Sequence, residues 1–379
     1  MKVVCSIETF SKKLALVTRG VSSRTTIQLL GGVLVEAGRE VVKLSATDMD
    51  ISIRTSTPAE VEEEGRVVIP ARIFNDIVRS LPGGQLTIGY DSSGGTVRLS
   101  VGEKEYSIRA YAAEDFPQLP EFDEGRAFKM IGEALVDTIE KVSKSYSRDE
   151  TRPVLTGILI NFEASKLKMV TTDSYRLSIK ETELATTFDG EERQALIPAR
   201  AMQEVQRIFS GSDEEQIEID LSENQALFRI GDVTFGTRLI GGNFPEYGRL
   251  LPNAFERNIS VNREELMETL RRVNLFAQRQ NPPVPVSLAF SEGEVEVMVK
   301  SPEIGEAHEK LKADSEDEFR ISFNPGYLID GVTAVDTENV VFKLNESLKP
   351  GLIVPNGKDG GEDPDFLYLI MPMRDPSQS

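Results

Sequence analysis

The sequence predicts an α+β fold built from three copies of one unit, with helices on one face of antiparallel sheets. Two observations lead to this prediction. Segments recur at a nearly constant offset along the 379 residues, and within each copy the apolar residues follow first a helical and then a strand period. Units that combine two helices with many antiparallel strands form α+β layers.

The internal repeat is clearest between the first two copies. The segment 68–72 (Val-Ile-Pro-Ala-Arg) returns 128 residues later at 196–200 (Leu-Ile-Pro-Ala-Arg), and Asp115-Phe116-Pro117 returns as Asn243-Phe244-Pro245. A third copy is fainter, with 321–330 in the place of the Pro-Ala-Arg segments. Proline and polar residues interrupt the pattern near 120–125 and 252–257. We therefore expect domains at 1–122, 123–254 and 255–379, the last with a short C-terminal tail.

Each copy is predicted to have the same elements in the same order. An amphipathic helix opens it, with apolar residues at i, i+4 and i+7, as in Phe10, Leu14 and Val17. Strands of period two follow, and a second helix begins just after Pro70, Pro198 or Asn324. A hairpin then joins 86–90 to 97–101, and 216–220 to 226–230 in the second copy.

Composition limits the classes of function. The net charge of −19 argues against a protein that holds nucleic acid by bulk attraction, because such domains are usually basic. No apolar run approaches the roughly 20 residues that span a bilayer, so we expect no membrane association. A single cysteine, Cys5, excludes an internal disulfide and favours a cytoplasmic location.

The search for catalytic chemistry finds little. One histidine, His308, and one cysteine far apart in the chain are too few for a zinc site or a Cys-His pair, so we expect no metal and no cofactor. We interpret His308 as a solvated loop or helix residue. Asp48 and Asp173 lie at equivalent positions of different copies, which favours turn or capping roles over a catalytic pair. An enzyme is not expected.

Charge is unevenly distributed along the chain. Six predicted helix windows, 8–24, 71–81, 133–148, 199–210, 263–280 and 325–336, carry a summed charge of +4, and the rest of the chain is strongly acidic. Ordinary solvated helix charge would explain this distribution equally well. It also fits a protein that surrounds a polyanion loosely while an acidic exterior repels other nucleic acid.

Several segments resemble the bacterial DNA polymerase III β subunit, the processivity sliding clamp. The most specific are Thr172-Asp173-Ser174-Tyr175-Arg176-Leu177, Asn243-Phe244-Pro245-Glu246-Tyr247 and the 368–374 segment (Tyr-Leu-Ile-Met-Pro-Met-Arg). The resemblance covers residues 1–374. It implies a head-to-tail homodimer whose six domains form a ring around duplex DNA, lined by twelve helices. Twelve helices about 10 Å apart leave an opening of roughly 28 Å, enough for a hydrated duplex.

The resemblance also implies functional residues. Arg24, Arg72 and Arg200 match basic positions that contact DNA without reading its sequence. Arg148 lies in the same loop as another DNA contact of the family, although the details of the loop differ here. A pocket between the second and third domains would hold short linear motifs of the replicative polymerase, clamp loader and repair proteins. Its matching positions are Arg152, Leu155, Thr172, Tyr175, Arg176, Leu177, Pro245, Leu250, Leu348, Pro350, Ile370, Met371, Pro372, Met373 and Arg374.

The dimer contact is expected to join the strand with Tyr106 and Ile108 to the helix end at Leu275 and Phe276 of the other chain. The tail at 375–379 extends past the usual end of the family and could shade the pocket. Two other functions stay open at this point. One is an acidic scaffold that binds peptides without encircling DNA, and the other is a hydrolase with an unrecognised acidic site.

Overall fold

The three copies share one order of elements: a strand, a helix, four strands, a second helix and three strands. The computed structural model describes residues 1–22, 26–163, 166–184, 192–277, 282–316, 318–356 and 365–374. The first copy contains one additional short strand, Glu60–Glu63. The third copy, the faintest in sequence, follows this order as fully as the second. The prediction of a three-copy α+β fold is therefore confirmed.

The six α-helices of the described residues are α1 Ile7–Val17, α2 Ala71–Ser80, α3 Gly132–Val142, α4 Ala199–Ser210, α5 Arg263–Ala277 and α6 Pro325–Ala334. The strands of the first copy are β1 Lys2–Ser6, β2 Gly32–Gly38, β3 Val41–Thr47, β4 Ile51–Pro58, β5 Glu60–Glu63, β6 Gly65–Pro70, β7 Gln85–Asp91, β8 Thr96–Val101 and β9 Lys104–Arg109. Those of the second copy are β10 Phe128–Ile131, β11 Gly157–Phe162, β12 Lys166–Thr172, β13 Arg176–Glu183, β14 Arg193–Pro198, β15 Gln216–Leu221, β16 Gln225–Ile230 and β17 Val233–Arg238. Those of the third are β18 Arg257–Asn262, β19 Val286–Ser291, β20 Glu294–Ser301, β21 Gly305–Asp314, β22 Phe319–Phe323, β23 Asn339–Leu344, β24 Gly351–Pro355 and β25 Phe366–Ile370.

The apolar helix faces form the cores, as their spacing predicts. Phe10, Leu14 and Val17 are fully buried, and so are the corresponding residues of α3 and α5. In the first copy, α1 packs on β3 and β4 while α2 packs on β2 and β6. The rings of Phe10 and Phe74 meet edge to face at 5.8 Å. Burying such rings supplies much of the hydrophobic stabilisation of the layer.

The second helix of the third copy begins where local chemistry dictates. The side chain of Asn324 accepts hydrogen bonds from the backbone N–H groups of Gly326 and Tyr327, at 2.9 and 3.2 Å. Pro325 follows at the first helical position, where its missing N–H costs nothing. The expected helix start after Asn324 is thus confirmed, as are the starts after Pro70 and Pro198.

The chain divides into two compact units, and the second copy contributes strands to both. One unit comprises Met1–Glu133 with Glu204–Leu239, and the other comprises Ala134–Gln203 with Ile240–Ser379. The first unit holds a five-stranded sheet, β5-β1-β7-β8-β9, and an eight-stranded sheet, β10-β15-β16-β17-β4-β3-β2-β6. The second holds a twelve-stranded sheet, β14-β11-β12-β13-β25-β24-β23-β18-β21-β20-β19-β22. The domain limits near residues 122 and 254 stay a prediction.

Neighbouring copies are joined by pairing of their edge strands. Within the first unit, β17 of the second copy pairs antiparallel with β4 of the first, which we call the first junction. Within the second unit, β25 of the third copy pairs antiparallel with β13 of the second, which we call the second junction. Strands β4 and β13 are equivalent in the repeat, and so are β17 and β25. The same strand pairing therefore joins the first copy to the second and the second copy to the third.

Two expectations from the sequence need correction. The helices α1, α3 and α6 end at Val17, Val142 and Ala334, earlier than the windows assumed. Within these limits α1, α2 and α4 each carry a charge of +1, α5 is neutral, and α3 and α6 carry −2 and −1. The described residues of the helices are therefore neutral as a set instead of mildly basic. His308 lies on strand β21, opposite Met298, and not in a loop or helix.

Gly132 offers a test of packing in the first unit. A Cβ at this position would lie 1.9 Å from Cε2 of the Phe209 ring, whereas a Cβ at Gly241 meets nothing within 4 Å. Phe209 is buried, so its ring has little space to move away. We expect Gly132→Ala to lower the free energy of unfolding by about 1–3 kcal/mol. Calorimetric melting should show the loss, and Gly241→Ala should melt with the parent protein; equal melting of all three would contradict the packing described here.

Candidate functional site

The turn between β12 and β13 is held by its own side chains. The Thr172 hydroxyl donates to the Arg176 carbonyl at 2.7 Å and accepts from the Ser174 N–H at 3.2 Å. One carboxylate oxygen of Asp173 accepts from the backbone N–H groups of Tyr175 and Arg176, at 2.9 and 3.1 Å. Ser174 takes a φ of 82°, a left-handed conformation that these bonds stabilise. Asp173 therefore serves a turn, as predicted.

Arg176 is the most heavily engaged side chain of this region. Its Nε donates to Asp173 at 2.9 Å, and its Nη1 donates to Asp330 and lies 3.4 Å from the Tyr368 hydroxyl. Its guanidinium also lies 4.3 Å from the centre of the Tyr327 ring. Burial alone would lower the pKa of Arg176, but Tyr368, Asp330 and Asp173 together raise it. The guanidinium thus stays charged and holds a turn, a helix and a strand in one arrangement.

Tyr368 completes this network from the sheet. The ring is fully buried, and its hydroxyl donates to the backbone carbonyl of Tyr327 at 2.8 Å. Burial raises the pKa of the Tyr368 phenol, with Arg176 opposing the change in part. The phenol therefore remains protonated and keeps its donor role. The start of α6 is in this way fastened to β25.

Two tyrosine rings, of which one is exposed, pack beside this network. Tyr175 is 59% exposed and stacks on Tyr327, with ring centres 6.5 Å apart and planes 29° from parallel. Tyr327 was not among the residues predicted for the pocket. It is the third residue after the Asn324 cap, and its half-buried ring packs against the core of the third copy. Only the pairing of β25 with β13 indicates that this helix start lies beside Tyr175.

The residues predicted for the pocket also include apolar side chains from several segments of the chain. Leu155, Leu177 and Ile370 are buried, whereas Leu250, Leu348 and Met371 are 51%, 59% and 38% exposed. The Met371 N–H donates to the Tyr175 carbonyl at 2.8 Å, and Leu177 lies in register with Leu369, a buried residue absent from the prediction. Large exposed apolar side chains of this kind are frequent in interaction surfaces.

Several other predicted pocket residues lie on or beside the turn and the strands of the second junction. The Arg152 guanidinium donates to the Ser174 hydroxyl at 3.0 Å, and Pro372 pairs with Phe323 of β22. Pro350 directly precedes β24, whose Gly351 pairs with Ile370. Pro245 follows Phe244, which packs against the cluster containing Leu177. Met373 donates its N–H to Ser322, and the exposed Arg374 follows it.

Three of the four arginines predicted to contact DNA are described. Arg72 and Arg200 are each the second residue of their helix, α2 and α4, and Arg148 lies in the segment after α3. All three side chains are exposed. None of them forms an ion pair with a residue that the structure describes, so their donors remain available to an external anion. Arg24 lies outside the described residues, as does the tail at 375–379.

The residues predicted for the dimer contact occupy an edge and a helix end. Tyr106 and Ile108 belong to β9, the terminal strand of the five-stranded sheet. Leu275 is 60% exposed near the end of α5, and Phe276 packs partly against the core of the third copy. An unpaired strand edge and a large exposed leucine are features that proteins commonly cover with a partner.

The described residues contain neither a candidate metal site nor a membrane-spanning helix. In the part of the chain that is described, no group of three or more His, Cys, Asp or Glu side chains is placed to hold a metal ion. Among the same residues, no helix has both the length and the hydropathy that crossing a bilayer requires. Asp48, like Asp173, accepts two backbone hydrogen bonds in a turn.

Comparison with protein families gives matches along nearly the whole chain. Residues 1–120, 130–246 and 248–374 match the N-terminal, central and C-terminal domains of the DNA polymerase III beta subunit. The chain belongs to the DNA polymerase III beta subunit family. It therefore functions as a DNA sliding clamp, a processivity factor, and not as an enzyme. The alternative of an acidic scaffold that does not encircle DNA is not favoured.

Individual relatives agree with this assignment. The beta sliding clamp of Synechococcus elongatus is 31% identical over 379 residues, covering 99% of each chain. The crystal structure of a sliding clamp from Bacillus subtilis has a TM-score of 0.92 and 29% identity, with 99% of each chain covered. A sliding clamp from Bartonella birtlesii, solved bound to griselimycin, has a TM-score of 0.91 and 30% identity, again with 99% coverage of each chain.

Proposed function

We propose that this clamp works as a closed head-to-tail homodimer around double-stranded DNA. The observation that carries the proposal is the repeated join between copies. Each internal junction pairs the last strand of one copy with the third strand after the opening helix of the preceding copy. Two strands of these types have no such partner among the residues that the structure describes, β9 of the first copy and β21 of the third. The same join between two chains uses both strands twice and closes six copies into a ring.

The two free edges suit such a join. On β21, only Ala313 and Asp314 pair with β18, which leaves 305–312 free on that side. On β9, Tyr106 and Ile108 pair with Leu99 and Val97 of β8, and the opposite edge of the strand is open. The contact predicted from the sequence, β9 against Leu275 and Phe276, then includes β21 as well, because α5 packs against β21.

Arg24, Arg72, Arg148 and Arg200 are proposed to contact the phosphates of the encircled duplex. Arg72, Arg148 and Arg200 form no ion pair with any residue in the described part of the chain. This supports the role, since an arginine engaged by a neighbouring acid would gain less from phosphate. The acidic chain provides no strong bulk attraction. Retention on DNA would thus come from ring closure and not from affinity, and base sequence would not be read.

We propose that the exposed apolar residues predicted for the second junction form the partner pocket. These are Tyr175, Leu250, Leu348 and Met371, together with the flanking residues described above. It would bind short linear motifs with glutamine and leucine or phenylalanine anchors from the replicative polymerase, the clamp loader and repair proteins. Methionine is adaptable, which suits a pocket that accepts several partners. We further propose that the protein is cytoplasmic, in keeping with its single buried cysteine.

Retention on circular DNA tests the ring. The clamp, loaded onto a nicked plasmid by its clamp loader, should co-elute with the DNA from a sizing column, and one double-strand cut should release nearly all of it. The release is expected because a closed ring slides off an end. A covalently closed plasmid of the same sequence serves as the control. Equal retention before and after linearisation would indicate direct binding and would refute the topological proposal.

A further inference from the structure

We infer that the first junction holds a second peptide site, which takes a polar, acidic segment instead of an apolar one. A cavity of about 720 Å³ lies there, entirely within the first unit. Its lining includes Met49, Asp50, Leu119, Asn224 and Arg238. The inference does not depend on ring closure, and nothing described above uses this cavity.

The backbone of this site reproduces that of the second junction bond by bond. The Thr47 hydroxyl donates to the Ile51 carbonyl at 2.7 Å, as Thr172 does to Arg176. Asp48 accepts from the N–H groups of Asp50 and Ile51, at 2.9 and 2.8 Å. Met49 has a φ of 81°, against 82° for Ser174. The same turn therefore borders both sites.

The neighbouring copy also approaches both turns in the same manner. The Arg238 N–H donates to the Asp50 carbonyl at 2.9 Å, and the Met371 N–H donates to the Tyr175 carbonyl at 2.8 Å. Arg238 and Met371 thus hold equivalent positions. The segment with Phe116-Pro117 lines the first site, as the segment with Phe244-Pro245 borders the second. The pairing of β4 with β17 therefore forms the concave site at the first junction.

The side chains at equivalent positions differ in chemistry. Tyr175, Arg176 and Leu177 of the second junction correspond to Asp50, Ile51 and Ser52 of the first, and Met371 corresponds to Arg238. An apolar anchor that favours the second site would therefore meet charged and hydroxyl groups in the first. Arg238 is exposed and forms no ion pair within the described residues, so it offers its guanidinium to a carboxylate.

A peptide fits the rest of the lining better than a small ion does. Residues 117–120 have no regular secondary structure, and within the described ranges the Gln118 and Leu119 N–H groups donate no hydrogen bond. Such groups along a cavity can pair with a second backbone. The side chains of Asp50 and Asn224 can accept hydrogen bonds from serine or glutamine side chains of the peptide. Met49 and Leu119 add a small apolar part to the lining. The expected ligand carries one acidic residue between hydroxyl or amide residues.

Methyl spectra of the full-length protein labelled at methionine can separate the two sites, because Met49 reports the first and Met371 and Met373 report the second. Two capped hexapeptides serve as probes. The polar probe holds one glutamate among serines and glutamines, and the apolar probe holds glutamine followed by leucine and phenylalanine. We expect the polar probe to shift Met49 with saturation and a Kd of about 1 mM or tighter, and to leave Met371 and Met373 unchanged.

Exchange of the equivalent residues provides matched variants. Arg238→Met should weaken binding of the polar probe at least about tenfold, a loss of roughly 1.4 kcal/mol, whereas Met371→Arg should leave it unchanged. Arg238→Met removes an exposed side chain and keeps the backbone bond to Asp50, so folding should be preserved. The inference is overturned if the Met49 signal does not shift, or does not saturate, at several millimolar polar probe. It is also overturned if Arg238→Met binds the polar probe as tightly as the parent protein. The response of Met371 and Met373 to the apolar probe reports separately on the partner pocket.

Discussion

Arg176→Met is expected to abolish binding of an apolar peptide at the second junction and to destabilise the second unit by about 2–4 kcal/mol. Arg176 is 11% exposed and pairs with both Asp173 and Asp330. Its loss leaves two carboxylates facing the buried Tyr368 without a counter-charge. It also removes the cation that packs on Tyr327, so the ring that supports Tyr175 loses its fixed position. The effect on the peptide would be indirect, through the position of the aromatic pair.

Chemical denaturation and anisotropy of a labelled apolar peptide measure the two effects. Arg271→Met is the matched control, because Arg271 is exposed on α5 of the same unit and should change neither quantity. Adding Asp330→Asn to Arg176→Met should recover part of the lost stability, since the unpaired carboxylate is then neutral. Peptide affinity within twofold of the parent in Arg176→Met would show that the network does not position the pocket.

Leu275→Asp is expected to convert the dimer into monomers at micromolar concentration. Leu275 is 60% exposed, so a polar residue is tolerated by the isolated chain, but in the proposed dimer the carboxylate would be buried against the partner. Burying an unpaired charge at this contact should weaken association about 100-fold or more, and a two-fold dimer suffers the loss at both contacts. Native mass spectrometry should then find the 42.0 kDa chain instead of twice that mass.

Leu250→Asp is the reciprocal control for this experiment. Leu250 belongs to the proposed partner pocket, is 51% exposed, and lies apart from β9, β21 and α5 in the sequence. This variant should stay dimeric and lose the apolar peptide, whereas Leu275→Asp should keep the peptide and lose the dimer. If Leu275→Asp remains a dimer, Leu275 does not belong to the dimer contact. The β9 and β21 edges would then be the whole of the proposed interface.

Local chemistry explains which parts of the fold could be predicted from the sequence. Phe10, Leu14 and Val17 mark a buried helix face by spacing alone, and Asn324-Pro325 marks a helix start because side-chain caps and proline act over a few residues. Asp48 and Asp173 could be assigned to turns for the same reason. Helix ends were less predictable, because α3 stops at Val142 with no proline or glycine there to mark the end.

The sequence by itself determined the three-copy repeat, the faces that are buried and the family. These depend on periodicity and on short motifs, which involve residues close to one another in the chain. Tertiary structure alone decided which edges meet. Pairing of β13 with β25 brings Tyr327 and Leu369 to the pocket, and pairing of β4 with β17 forms the cavity at Arg238. Strand partners distant in sequence are selected by shape and register over whole sheets, and no local pattern encodes that choice.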